Sequence, residues 1–251
     1  IADTELLQDD LDTVTRWCST WNMCLNISKC NHISFAKNIS KIQCTYSING
    51  EAVKKVPECK YLGIYLTESF HWNRHIDQMI SKASRTLFFI RRNFHCATKE
   101  VKETLYFLLV RSILEYACVI WDPAQKYLAK TIEKVQNQAA RFVSNNYDPF
   151  ASMSEIKAIL GWETLKSRRR KLRLKLLHSI YYNLTGINKS EYLLAPTYRS
   201  TRCQHSHKIQ EYAYKTTTFA NSFFLKTIRD WNELPEGIVN LSDNSAFFSS
   251  L

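Results

Sequence analysis

From residue 71 onward, apolar side chains return every three to four positions through one segment after another, which is the spacing of helices that bury one face. Trp72, Ile76, Met79, Ile80, Ala83, Leu87 and Ile90 form one stripe, ending at Arg91-Arg92-Asn93, where cations suit the negative end of a helix. Thr98, a favourable N-cap, opens a second through Val101, Leu105, Leu108, Leu109, Ile113 and Ala117 to Trp121, and Asp122-Pro123 stops it. Leu128, Ile132, Val135, Ala139, Phe142 and Val143 form a third. Joined by connections of a few residues, these stripes bury one another as a helical bundle. Only five Gly and five Pro occur in 251 residues, which favours long helices over a many-stranded sandwich. A short helix from Ser154 to Leu160, closed by Gly161, and a basic one from Trp162 continue the pattern, with Leu165, Leu172, Leu176, Ile180 and Leu184 as the seam of the latter. Beyond residue 186 the signal weakens: "HSHKIQEYAYKTTTF" reads as one or two strands, and "SFFLKTIRDWNEL" as a closing amphipathic helix.

The first seventy residues follow another rule. Leu6, Leu7, Leu11, Val14, Trp17, Cys18 and Trp21 recur at helical spacing and place Asp9, Asp10 and Asp12 on the opposite, wet face. The period then drops to two. "NHISFAK" (31–37) and "IQCTYSI" (42–48) read as short strands, and Asn49-Gly50 as a two-residue hairpin turn into "EAVKKV". In "KYLGIYLT" (60–67), Tyr61, Gly63 and Tyr65 alternate with Leu62, Ile64 and Leu66, the second set being expected in the core. Residues 31 to 67 are thus expected to form a small antiparallel sheet. The fold class is α+β, mostly helical, divided at 1–70, 71–150 and 151–251.

Charge is uneven. The formal net charge is +11; residues 1 to 20 hold Asp3, Glu5, Asp9, Asp10 and Asp12 against Arg16, whereas residues 166 to 175 hold seven Lys or Arg and no acid. That asymmetry suggests a polyanionic partner, nucleic acid being the commonest. The eight cysteines include no C-x-x-C pair and read as reduced, structural thiols. The most apolar run, "LYFLLVRSILEYACVIW", is interrupted by Arg111 and Glu115 and is short for a bilayer, so no membrane partner is expected. The sequence opens at Ile1-Ala2-Asp3 with no initiator Met and no secretory signal, which suggests a fragment located in the nucleus or cytoplasm, and the five N-x-S/T sequons then carry no weight.

Five blocks in order carry a resemblance: "WNMCLNISKCNHISF" (21–35), "KYLGIYL" (60–66), "HI…KASRTLFFIRRN" (75–93), "VRSILEYACVIWDP" (110–123) and "IEKVQNQAARFV" (132–143). Together they resemble the reverse transcriptases of non-LTR retrotransposons, LINE-type elements of the jockey-like group. The resemblance implies that residues 1–70 are the end of a palm with a primer-grip hairpin, 71–150 a thumb, and 151–251 a C-terminal basic helical region. It matches the family's N-x-x-K pattern to Asn26-Ile27-Ser28-Lys29, making Lys29 the catalytic candidate, a lysine that protonates departing pyrophosphate; the alternative is a surface lysine in a loop. It matches Lys60, Tyr61, Leu62 and Gly63 to the primer grip, which presses the primer end toward the active site; an ordinary buried strand is the alternative. Thumb contact with an RNA/DNA template-primer would draw on Arg91 and Arg92, and the basic run adds Lys166, Arg168, Arg169, Arg170, Lys171 and Arg173, unless these simply cap and solvate their helices.

The family's F/Y-x-D-D turn and its upstream aspartate are absent from the sequence, so the chain is expected to be inactive in nucleotidyl transfer by itself. The intact family enzyme uses magnesium; no cofactor is expected in this chain, whose implied partners also include the fingers and palm upstream in the same polyprotein. Asp9 and Asp10 are not expected to substitute for the catalytic carboxylates. Cys203-x-His205-x-His207 and His71-x-x-x-His75 offer ligand-type side chains without a second pair at zinc-finger spacing, so no metal site is expected. Two functions remain: the C-terminal part of an RNA-directed DNA polymerase that binds template-primer, or a non-enzymatic helical interaction module with a basic face.

Overall fold

The computed structural model describes residues 2–35, 44–196 and 205–251; positions 36–37 and 42–43 of the expected strands, and Cys203, lie outside them. The chain divides into two compact units, Ile1–His75 and Ile76–Leu251.

The first unit opens with helix α1 (Ala2–Thr20) and a 3₁₀ turn (Ile27–Lys29). Among the described residues, three two-stranded ladders follow in place of the single antiparallel sheet expected. Strand β1 (Asn31–His32) pairs in parallel with β4 (Lys54–Lys55), β2 (Ser47–Ile48) with β3 (Glu51–Ala52), and β5 (Glu58–Tyr61) with β6 (Ile64–Thr67). Strands this short leave ladder groups to be satisfied otherwise, and Gln8 of α1 does so at β2. Its amide donates to the Ser47 carbonyl at 2.9 Å and accepts from the Ser47 N–H at 3.0 Å, as a neighbouring strand would. The packed edge of α1 therefore runs along Gln8, Leu11, Thr15 and Cys18. Of the expected apolar stripe only Cys18 is buried, while Leu6, Leu7, Val14, Trp17 and Trp21 lie exposed, Trp21 at 65%.

The second unit is the expected bundle. Helix α2 (Asn73–Asn93) buries Ile76, Met79, Ala83, Leu87 and Ile90, and α6 (Lys126–Ser144) buries all six residues of its anticipated stripe. Between them the single helix expected from Thr98 to Trp121 is broken. Helix α3 (Lys99–Leu105) is capped by Thr98 and passes into a π-helical segment (Tyr106–Arg111); α4 (Ser112–Glu115) then ends before Ala117, in a left-handed conformation, and α5 (Cys118–Trp121) follows. The cause lies in the buried positions, Lys102, Tyr106, Val110, Leu114 and Cys118, which recur every four residues. A straight α-helix, at 3.6 residues per turn, would rotate such a row by about 40° at each step and carry it away from the core. The wider π turn and the break at Ala117 keep it facing inward. The row seats a polar network: the Tyr106 hydroxyl donates to Gln136 Oε1 at 2.8 Å, and Gln136 Nε2 donates to the Glu163 carbonyl at 2.7 Å. Trp162 stacks on Tyr106 with ring centroids 4.5 Å apart.

Helix α7 (Met153–Ile159), capped by Ser152, leads to α8 (Leu165–Tyr181), capped by Thr164. The C-terminal part adds α9 (Lys189–Tyr192), α10 (Thr217–Ala220), α11 (Phe223–Asn232), α12 (Glu236–Val239) and α13 (Asn244–Ser250). Leu174, Leu177, Ile209, Ile228, Trp231 and Phe247 make its core. No strand forms across the described part of the segment in which one or two were expected. Instead the Asn232 side chain grips Ile209, accepting from its N–H at 3.0 Å and donating to its carbonyl at 2.8 Å. Among the described residues no helix is long and apolar enough to cross a membrane.

The seam of α8 is ionic as well as apolar. Arg169 and Arg173 are almost fully buried, whereas Leu172 and Leu176 of the expected seam are only half so. Arg169 Nε lies 2.7 Å and Arg173 Nε 3.1 Å from the Asp122 carboxylate, and Lys226 Nζ reaches the same group at 2.6 Å. Burial would raise the Asp122 carboxyl, but the Lys226 ammonium, Arg173 and Arg169 together hold it below the usual carboxylate range. Asp122→Asn keeps the volume, takes the counter-ion from Arg169 and Lys226 and leaves Arg173 with Asp230 alone. It is expected to cost about 3–5 kcal/mol in urea denaturation, and a loss under about 1 kcal/mol would show that the cluster does not hold the bundle.

His178, fully buried, stacks on Phe247 at 4.2 Å, contacts the Leu241 carbonyl through Nε2 at 2.6 Å and faces the Asn244 amide through Nδ1 at 3.1 Å. A carbonyl only accepts and the amide nitrogen only donates, so the imidazole is neutral with its proton on Nε2. Burial lowers its pKa, the Leu241 carbonyl and Asp243 opposing in part. The folded value lies below the unfolded one, so stability is full above about pH 6.5 and falls as pH drops toward the folded value, by at most about 1.4 kcal/mol per unit. Melting curves between pH 7 and 5 should show this decline, in which His205, also lowered by burial, takes part. The variant His178→Gln should be less stable at pH 7 and flatter with pH; an unchanged slope would contradict the assignment.

Candidate nucleic-acid interface

In the first unit, Lys29 ends the 3₁₀ turn with its side chain exposed, one residue before β1. Its N–H bonds the Asn26 carbonyl at 3.0 Å, so the N-x-x-K spacing closes one tight turn and lifts the ammonium from the surface. Asp9 and Asp10 are both exposed on α1. Adjacent helical residues point about 100° apart, so the two carboxylates diverge. Among the described residues no three His, Cys, Asp or Glu side chains cluster as a metal site requires, and the carboxylates present do not fit the magnesium pair of a polymerase. His71 Nδ1 contacts the Ser69 hydroxyl at 2.7 Å, His205 the Trp231 carbonyl at 3.1 Å and His207 the Tyr181 hydroxyl at 2.8 Å.

The segment 60–67, expected as one alternating strand, is a hairpin. Tyr61 faces Ile64 across the ladder, and Leu62-Gly63 are the two turn residues, with φ of +45° and +85°. Leu62 is 71% exposed instead of lying in the core, and Tyr61 and Gly63 are exposed with it. Ile64 is buried as expected. Positive φ at both central positions is the type I′ turn that continues the twist of the strands, and the turn at Asn49-Gly50 has the same form, with φ of +53° and +79°. The second turn carries the residue pair this geometry prefers; the first places leucine where a branched side chain costs about 1 kcal/mol. Lys60 is directly opposite Tyr65, its ammonium 5.5 Å from the ring centroid, and Arg74 sits 5.6 Å from the same ring. The tip therefore presents Tyr61 and Leu62 with Lys60 beside them, while Arg74 Nε lies 3.6 Å from the Glu58 carboxylate.

In the second unit, α2 carries Lys82, Arg85, Arg91 and Arg92 against the single acid Asp77. The Arg91 guanidinium lies 5.8 Å from the Tyr147 centroid, and that of Arg92 5.9 Å from Phe88. The basic run is arranged otherwise. Arg168 is bound by Glu115; Arg169 pairs with Asp122; Arg170 Nε lies 3.1 Å and Arg173 Nη2 2.8 Å from Asp230; and Lys171 Nζ lies 2.7 Å from Glu163. Arg169 and Arg173 are buried, so in this fold they do not offer a guanidinium to an outside phosphate; of the six cations anticipated here Lys166 is the exposed one. The Glu115, Asp122 and Asp230 carboxylates, 47 to 60 residues away, could not be paired with this run by local spacing. The rings of Phe88 and Tyr147 were also missed, Phe88 because it falls on the side of α2 away from its apolar stripe.

Curated relatives put a family beside this geometry. The chain is 28% identical over 149 residues to the RNA-directed DNA polymerase from mobile element jockey of Drosophila melanogaster and 29% identical over 151 residues to its Drosophila funebris counterpart, each match covering 57% of the chain. A probable RNA-directed DNA polymerase from transposon BS of D. melanogaster is 25% identical over 143 residues. The chain is similar to the RNA-directed DNA polymerases of non-LTR mobile elements. It spans about 16% of the length of the jockey polymerases. No family model matches, and no solved structure does.

The β5–β6 hairpin makes a prediction of its own. Leu62→Asn relieves the turn and should stabilise the first unit by about 1 kcal/mol, read as slower hydrogen exchange at the β5–β6 amides. No gain would mean that the exposed leucine contributes packing energy that offsets its strained backbone.

Proposed function

We propose that this chain is the C-terminal part of an RNA-directed DNA polymerase of a mobile element and that its own task is to hold the RNA/DNA template-primer. Residues 1–70 act as the end of the palm, with Tyr61, Leu62 and Gly63 at the primer end and Lys29 as the ammonium that meets departing pyrophosphate; 71–150 act as the thumb. The observation that carries the reading is the hairpin tip, which keeps a leucine exposed at a strained position where the fold itself would prefer asparagine. A local rule broken at an exposed position points to a functional one. Support also comes from the excess of cations on α2, which suits backbone contact with a duplex of any sequence. Residues 151–251 serve chiefly to brace the thumb through the Asp122 and Asp230 clusters, Lys166 adding a contact. The fingers, the rest of the palm and the magnesium-binding carboxylates come from the same polyprotein, in the nucleus or cytoplasm. The second reading, a non-enzymatic helical interaction module with a basic face, draws less support from α8, where Arg169, Arg170 and Arg173 are engaged in ion pairs.

Fluorescence anisotropy with a blunt RNA–DNA hybrid tests the proposal. Affinity should fall linearly on a log–log plot against salt, by about 0.9 for each phosphate neutralised. A flat salt dependence, or no binding in dilute buffer, would overturn it.

A further inference from the structure

Two cavities of about 460 and 450 Å³ lie along the second half of α2 and share Phe88 and Arg91 in their walls. Phe88 is 63% exposed and Tyr147 53%, so two aromatic faces stand open to solvent, each with a guanidinium beside it. No Asp or Glu lines either cavity, whereas Arg85, Arg91, Arg92 and His95 do. The C-terminal ends of α2 and α6 bring partial negative charge of about half a unit each. Three full guanidinium charges outweigh it, and Lys102, whose ammonium donates to Asn145 Oδ1 at 2.8 Å, offsets the end of α6 from within. An acidic peptide would use the arginines but leave the rings idle, and an apolar partner the reverse. A strand of nucleotides uses both, bases stacking on the rings while phosphates meet the guanidiniums.

We propose that this groove binds an unpaired nucleotide strand, with bases stacked on Phe88 and Tyr147 and the backbone held by Arg91 and Arg92. The inference rests on the template-primer reading and deepens it: beside the duplex, the chain holds the single strand that continues from it.

The test compares three labelled probes on the full chain: a blunt RNA–DNA hybrid, the same hybrid with a short single-stranded extension, and the single strand alone. The extension should tighten binding by about tenfold for each stacked base. Phe88→Ala and Tyr147→Ala should each remove part of that gain, weakening the extended hybrid more than the blunt one. Both rings are exposed, so the melting temperature should hold; if Phe88→Ala unfolds, Phe88→Leu keeps the apolar volume and removes the stacking face. Absence of any gain from the extension, or a gain that survives both substitutions, overturns this inference while blunt-hybrid binding leaves the template-primer reading intact. Ring-dependent binding of the single strand, with no binding of the blunt hybrid, supports the groove and defeats that reading.

Discussion

One carboxylate, Asp122, organises the second unit. It sits where α5 ends before Pro123, and it gathers Arg169 and Arg173 from one face of α8 and Lys226 from α11. Residues four apart on a helix share a face, so a single anion can reach both arginines, and a slip of α8 by one residue would lose them together. Asp230, four residues after Lys226, takes Arg170 and the other side of Arg173. Burying so many ions costs several kcal/mol for each, and an apolar cluster of equal volume could match the stability. The ionic version adds register: two helices far apart in sequence meet at one angular setting. Trp121 beneath Arg169 and the Thr227 hydroxyl bonded to Arg173 complete the packing of the guanidiniums.

The second constraint is helical phase. Buried residues at four-residue intervals force α3 to α5 off the α-helical path, and the π-helical segment answers that demand. The wider turn places Tyr106 against Gln136 and Trp162, which joins α3, α6 and the start of α8. Arg168 bound by Glu115 closes the same seam from α4. A regular helix here would have turned either Tyr106 or Cys118 outward. Burial pushes the Cys118 thiol up to about 12, in keeping with a thiol that packs and does not react.

Elements whose period agreed with their packing were legible in the sequence. The stripes of α2 and α6 are in place, as are the caps at Thr98 and the turn at Asn49-Gly50, because each follows from neighbours within a few residues. What escaped depends on distant partners. The basic run looks like a solvated face until Asp122, Asp230, Glu115 and Glu163 are brought to it by the fold. The strands expected at 31–48 and near 209 were partly replaced by amide side chains, Gln8 on Ser47 and Asn232 on Ile209, which satisfy a backbone pair without a ladder. Leu62-Gly63 was misread because alternation continued through the turn: a leucine in the first turn position carries no turn signal. On α1 the period was right, but the apolar stripe was not the face that packs.

These internal pairings relocate the candidate interface. The formal net charge is +11, yet most of the cations of α8 are neutralised where they stand. Further cations lie on α2 and on the strands of the first unit, where Lys54, Lys55 and Lys60 are exposed. Each of these places also exposes aromatic or apolar side chains that the core does not use: Phe88 and Tyr147 beside α2, Tyr61 and Leu62 at the hairpin tip. Charge alone would attract any polyanion, and apolar surface alone any greasy partner. Their repeated conjunction at these sites, against an α8 whose charge serves packing, is the physical ground on which the proposed nucleic-acid interface rests.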